Sequence, residues 1–358
     1  MSSGWYSTIA LAGGLGCLAL FCSTQTTMVG SQAVEKTVES PPEAPGYASE
    51  ALIMAAIATG KIKTIQAPKE MPPGVQLVKD VEFGKVGDRA LKLDLYTPVK
   101  LKKPVPGLIF IHGGAWKGGN KDMYRPYAAR YAQRGYVVAS ISYRLSGEAP
   151  FPAAVEDAKC AVRWMRANAN AYKIDPNHIC VLGGSAGGHL AMMVGYSAEQ
   201  KELEGSGGWP DVSSKVQAVV NIYGPCDLTV PGIRDADSVR QFLGEKKYDE
   251  APKLYKKASP LLQLTKDDPP TLILHGTLDS LVPISQSDEL AEHLKQAGVT
   301  YTYDRLEGWP HVMDLAEVVF NRCVFFIDKF LAENMPVPEP VTPQSEEPGN
   351  EPDTAKFP

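Results

Sequence analysis

One stretch constrains this chain more than any other: Ile179-Cys180-Val181-Leu182 running into Gly183-Gly184-Ser185-Ala186-Gly187 and then HLAMMVGYS. The apolar run has the pattern of a strand buried on both faces, and the residues after the glycines have a helical pattern. A strand that turns sharply into a helix crowds the backbone two residues to either side of the turn's centre. Glycine is therefore needed at 183 and 187. Ser185 is lifted above the sheet at a helix N-terminus, where the dipole favours negative charge. G-x-S-x-G alone is also met in plain glycine-rich turns, but this strand before it and this helix after it point to a nucleophile.

The same alternation extends along the chain. Strands are expected at Gln76–Phe83, Leu91–Tyr96, Gly107–Ile111, Tyr136–Tyr143, His178–Leu182, Val216–Ile222, Thr271–Leu274 and Thr300–Arg305. Helices are expected at Tyr124–Arg134, Pro152–Ala169, Ala186–Ser197, Ser285–Ala297 and Leu315–Leu331. Several of the strand runs are continuously apolar, as in parallel strands covered by helices on both sides. The sequence thus predicts an α/β-hydrolase fold: a mostly parallel eight-stranded sheet with helices on both faces. The stretch Cys226–Pro270 is long for a plain connection and predicts a small helical lid or pocket wall.

With a serine nucleophile placed, its partners are fixed by chain order, which in this fold is Ser, then an acid, then His. His311, in the loop Glu307-Gly308-Trp309-Pro310-His311 between the last strand and the last helix, is the base. His189 lies one turn past Ser185 and points into packing. His293 sits on a polar helix face. His275 ends a strand four residues before the acid and buttresses that loop. Asp279, after the seventh strand, is the favoured acid, since a carboxylate there fixes the imidazole tautomer. Asp227, after the sixth, is its rival, with a structural role in loop amides as the alternative. The loop His112-Gly113-Gly114-Ala115-Trp116 follows a buried strand, and its glycines let backbone N–H groups approach an oxyanion. Gly113, Gly114 and Ala186 are the expected donors, with Ala115 as a third in that loop; His112 braces it. Trp116, Trp209 and Tyr223 are candidate pocket walls, with a core position the alternative for Trp116.

Taken together, HGGAW, GGSAGG, YGPCDL, HGTLDSLVP and GWPH resemble the bacterial lipase/esterase group related to hormone-sensitive lipase. YRLSGEAPFPAAVEDAKCAVRWMRANA and IDPNHI extend the resemblance, which covers about Val75 to Leu331. Within the group the chain is most similar to secreted carbohydrate esterases that remove acetyl or feruloyl groups from plant polysaccharides. HGGAW departs from the HGGG-type loop and equally resembles arylformamidases. The resemblance implies a carboxylesterase acting on a small-molecule or polysaccharide-linked ester, with no metal or organic cofactor. N-formylkynurenine hydrolysis and an inactive hydrolase-fold binding protein are the alternatives. Because the 226–270 stretch is polar and lacks an apolar lid helix, short acyl esters are expected over long ones.

The rest of the chain narrows the context. A net charge of −5, with no basic run, argues against nucleic acid as a partner. Residues 1–31 contain about fourteen uncharged small or apolar residues, Ile9 to Cys22, too few for a membrane span. They read as the core of a secretion signal, which makes the protein exported, periplasmic or secreted. Cys17 and Cys22 are candidate lipid-attachment points, though neither is preceded by the residues such a signal prefers; a start at Met28 would omit the segment and leave the protein cytoplasmic. Residues 32–74 read as a linker with one short helix, 75–333 as the hydrolase domain, and the Pro- and Glu-rich 334–358 as a disordered tail. Cys160, Cys180, Cys226 and Cys323 lie in apolar segments as small buried hydrophobes, and one disulfide is open to an exported chain.

Overall fold

A computed structural model describes residues 40–338. The signal expected over residues 1–31 and the tail beyond Pro338 lie outside the described residues. The strands are β1 (Val75–Val86), β2 (Arg89–Pro98), β3 (Val105–Ile111), β4 (Val137–Ile141), β5 (Ile174–Gly184), β6 (Ala218–Ile222), β7 (Thr271–Gly276) and β8 (Tyr301–Leu306). The helices are α1 (Glu50–Ala58), α2 (Arg125–Gln133), α3 (Ala153–Ala167), α4 (Ala169–Tyr172), α5 (Ala186–Tyr196), α6 (Asp237–Phe242), α7 (Pro252–Lys257), α8 (Ser285–Ala297) and α9 (Glu317–Asn334). The strands form one sheet in the order β1-β2-β4-β3-β5-β6-β7-β8. β2 pairs antiparallel with both its neighbours, β1 and β4, and every other pairing is parallel.

The central strands are buried end to end because both faces of the sheet are covered. Alternation along β3 shows the two cores directly. Ile109 and Ile111 join one cluster with residues of α3, α5 and α8. Leu108 and Phe110 join the other with residues of α1, α2 and α9. Helix α8 ends on Gly298 in the left-handed region (φ 75°), the glycine stop expected from its sequence.

Two regions sit differently from the sequence expectation. The stretch 41–74 holds the expected helix, α1, but the chain around it lies along the core instead of bridging free space. Tyr47 N donates to Gly308 O (3.0 Å), Ile65 N to Leu315 O (2.9 Å), and the Trp309 indole to Ala44 O (3.1 Å). At the other end, Met335 is fully buried and Val337 packs against the core, so the chain stays docked a few residues past 333.

Candidate active site

The turn from β5 into α5 is tight enough to exclude side chains where the sequence has glycine. A Cβ on Gly183 would collide with the Gly187 carbonyl, and one on Gly187 with the Ile111 carbonyl. Ser185 adopts φ 56°, ψ −124°, a left-handed strain that non-glycine residues rarely accept. The surrounding bonds hold it there: Ser185 N donates to Ile222 O (2.9 Å), and its carbonyl accepts from His189 N (3.0 Å).

His311 meets this serine. Ser185 Oγ lies 2.8 Å from His311 Nε2, and His311 Nδ1 lies 2.6 Å from Asp279 Oδ2. With Nδ1–H donating to the carboxylate, Nε2 is left to accept the serine proton. Asp279 Oδ1 accepts from Leu281 N (2.9 Å) and Val282 N (2.8 Å). Burial pushes the Asp279 carboxyl up, but hydrogen bonds from His275 and His311 outweigh it and bring it down to about 2. His275 is wholly buried, with Nε2 3.0 Å from both Asp279 Oδ2 and Val282 O and Nδ1 2.7 Å from Ser287 Oγ. Two acceptors at Nε2 make it the protonated nitrogen, and Ser287 donates to the other. The His275 position thus fixes the carboxylate as well as the loop.

Asp227 lies in a different network. Its Oδ1 accepts from Thr229 N (2.7 Å) and Ser259 Oγ (3.3 Å), while Gln286 Oε1 takes its N–H (2.9 Å). It clamps the start of the 226–270 stretch.

Gly113, Gly114 and Ala115 run beside the serine. A Cβ on Gly113 would meet the Gly184 carbonyl at 2.8 Å and Ser185 Cβ at 3.3 Å. Gly114 (φ 103°), Ala115 (φ 54°) and Trp116 (φ 59°) all have positive φ, a local kink of the backbone beside the serine. Among the described residues, the N–H groups of Gly113, Gly114 and Ala115 donate to no backbone carbonyl. Ala186 N, first in α5, is likewise free of helix bonding. The loop is braced by His112, whose Nδ1 donates to Gly113 O (2.7 Å) and whose ring stacks on Tyr143 at 4.3 Å. Burial lowers His112 to about 4, so it is neutral and takes no part in proton transfer near neutral pH.

These groups open into a cavity of about 500 Å³. One end is buried and phenolic. Tyr124, Tyr127, Tyr223 and Asp314 line it, with Tyr127 Oη donating to Asp314 Oδ2 (3.1 Å) and Tyr223 Oη to Oδ1. The Tyr223 ring also lies 4.8 Å from that of His311. Burial raises the Asp314 carboxyl above its ordinary range. The mouth is mostly aliphatic: Met123, Leu281, Val312 and Leu315 line it, with Ile65 from the N-terminal stretch and one exposed charged residue, Lys117. These first four are among ten large apolar side chains exposed in the described residues, so the mouth concentrates them.

Of the three aromatic residues expected in the wall, Tyr223 alone lines this cavity. Trp116 is core: its positive φ turns the indole inward, to stack on Phe242 (4.6 Å) and donate to His189 Nδ1 (3.2 Å). Trp209 lies over β1 instead, its indole donating to Phe83 O (2.8 Å). The 226–270 stretch is helical, as expected, but supplies no residue to the cavity. It covers the far side of α5, where Ala258 O takes the His189 Nε2–H (2.7 Å) and Phe242 meets Trp116. Sequence reasoning missed Ile65, Lys117, Met123, Tyr124, Tyr127, Leu281, Val312, Leu315 and Asp314. Only Asp314 had a signal within reach, a carboxylate three residues past the base.

Such an arrangement can pass a proton from Ser185 to His311, hold the imidazolium on Asp279, and offer amides to an anionic oxygen. The family description BD-FAE matches residues 93–294. Esterase LipQ of Mycobacterium tuberculosis is 34% identical over 68% of this chain and 59% of its own. Esterase LipC of the same organism is 34% identical over 60% and 55%. The chain therefore spans somewhat over half the length of these curated relatives. Among solved structures, a truncated carbohydrate esterase from gut microbiota superposes with a TM-score of 0.66 at 31% identity, covering 74% of this chain and 99% of that one. The apo form of Thermogutta terrifontis esterase 2 gives 0.64 at 29% identity, covering 75% and 97%. With its α/β-hydrolase sheet and a family match over more than half its length, the chain belongs to the BD-FAE family.

Proposed function

We propose that the protein is a serine carboxylic-ester hydrolase in which Ser185, His311 and Asp279 act as a triad. The observation that carries this is the unbroken chain of contacts from Asp279 through His311 to Ser185, beside undonated amides in one cavity. Ser185 Oγ attacks the ester carbonyl while His311 Nε2 takes its proton. The oxyanion is held by the N–H groups of Gly113, Gly114 and Ala186. His311 returns the proton to the leaving alcohol, and water then hydrolyses the acyl-enzyme by the same route.

The substrates proposed are short-chain acyl or aryl esters. The phenolic end of the cavity supports this, being closed by Tyr127, Tyr223 and Asp314 and too polar for a long alkyl chain. The likeness to a carbohydrate esterase supports a rival reading, acetyl or feruloyl esters of polysaccharides, in which a sugar hydroxyl is the leaving group. The mostly aliphatic lining of the cavity mouth favours the first. Export through residues 9–22 belongs to the same proposal, tested by cell fractionation with and without residues 1–31.

The test is hydrolysis of p-nitrophenyl acetate by wild type and Ser185→Ala. Loss of at least ~10⁴-fold in kcat with the fold intact is expected. An inert wild type would leave a binding protein on this fold. Faster turnover of N-formylkynurenine than of any ester would make it an arylformamidase.

A further inference from the structure

Resting on the esterase reading, the two unlike ends of the cavity bear on which half of an ester each can hold. When the tetrahedral intermediate collapses, the bond from carbonyl carbon to alcohol oxygen breaks. The electron pair stays on that oxygen, and His311 Nε2 delivers to it the proton taken from Ser185. The alcohol oxygen must therefore come within hydrogen-bond reach of Nε2. On the open side the residues that the His311 loop and the tip of the Asp279 loop contribute are aliphatic, while the one lysine of the cavity lining, Lys117, enters from the oxyanion loop. Val312 comes next in the chain and is held with φ 53°, while Leu315 lies three residues further and is tied to Ile65 by the Ile65 N to Leu315 O bond. Leu281 projects from the loop that carries Asp279. All four line the cavity, and none carries a charge or a side-chain hydrogen-bonding group.

We propose that Ile65, Leu281, Val312 and Leu315 form a leaving-group subsite for an apolar alcohol, alkyl or aryl, in preference to a sugar hydroxyl. A sugar placed there would press its hydroxyls against carbon and lose water without gaining partners. An alkyl or aryl group would cover side chains that otherwise face water, Leu281 at 69% and Leu315 at 52% exposure. The subsite opens outward, so it sets polarity without limiting length. The buried phenolic end is left to a compact acyl group.

The experiment holds the acyl group at acetate and lengthens the alcohol through ethyl, butyl and hexyl, whose oxygens are nearly equal as leaving groups. A fully buried methylene is worth about four-fold; on a half-exposed rim kcat/KM should rise by about two-fold per methylene. The Leu281→Ser/Leu315→Ser double variant, changed at two exposed positions, should flatten that gradient. A flat series in wild type, a gradient that survives in the double variant, or faster cleavage of acetylated xylose than of hexyl acetate would overturn the proposal. Failure of the esterase reading looks different: no ester is turned over, or turnover survives Ser185→Ala.

Discussion

Asp279 and Leu281 are two residues apart, yet they belong to opposite kinds of surface. Asp279 is buried and its carboxylate accepts four hydrogen bonds, from His275, His311 and two backbone amides. Leu281 is 69% exposed and meets the cavity from the outside. The first end is over-determined: each bond restrains the same carboxylate, so no single rotamer change frees it. The second is anchored only through its backbone, whose N–H donates to Asp279, while its exposed side chain is free of polar restraint, so that place tolerates any side chain of similar character. On the proposed function, fixed geometry would serve proton transfer and loose geometry recognition. Substitutions should therefore cost rate at one end and selectivity at the other.

The largest expected effects fall on the over-determined end. His311→Ala should lower kcat by ~10⁴-fold or more, and Asp279→Asn by roughly 10³–10⁴-fold through the wrong imidazole tautomer. A double Ser185→Ala/His311→Ala variant should be hardly worse than either single one. Asp227→Asn should instead lower stability and leave turnover within a few-fold. A reversal between Asp279→Asn and Asp227→Asn in steady-state kinetics would move the acid to Asp227.

His275→Met removes one buried donor and should cost about ten- to hundred-fold in kcat, with KM little changed. His275→Gln can still donate to Asp279 and should recover most of it. Equal losses in both variants would reduce His275 to packing.

Stability should also report on the interior. His112 and His189 are both lowered to about 4 by burial, each held neutral in the fold. An unfolded histidine binds its proton near pH 6.5, so this stability is present above that value. Each histidine should lose on the order of 3 kcal/mol as pH falls from about 6.5 to 4. Asp279, lowered to about 2, adds a separate loss of about 2 kcal/mol between pH 4 and 2. Urea titrations at stepped pH would measure both windows, and a flat profile from pH 7 to 4 would contradict the histidine assignment.

The smallest effect is expected at the rim. Ile65→Ser should raise KM for an apolar ester by a few-fold and leave kcat nearly alone. A fall in kcat beyond ten-fold would show that the N-terminal stretch positions His311 as well as walling the cavity.

Much of the fold and the site is legible in the sequence, and the residues explain the division. Ser185, Asp279 and His311 each sit in a short loop whose local sequence reports its own geometry, such as the glycines that flank the serine. The central strands announce themselves by continuous apolar runs, while the edge strands β1 and β8 are mixed in polarity. The cavity wall has no such local mark. Ile65 reaches it because 41–74 folds back onto the His311 loop, a contact between segments some 250 residues apart. Trp116 has the place of a wall residue in HGGAW, and only its backbone angle shows that it turns into the core. The 226–270 stretch is long enough for a lid, but the Trp116–Phe242 stack and the His189–Ala258 bond hold it against α5.

The central claim, a nucleophilic Ser185 activated by His311, is tested most directly by trapping. An organophosphonate with a good leaving group should inactivate the wild type with one equivalent bound, and peptide mass spectrometry should place the adduct on Ser185. His311→Ala should react at least a hundred-fold more slowly, and Ser185→Ala should not react. An adduct on another residue, or inactivation at the wild-type rate without His311, would contradict the account.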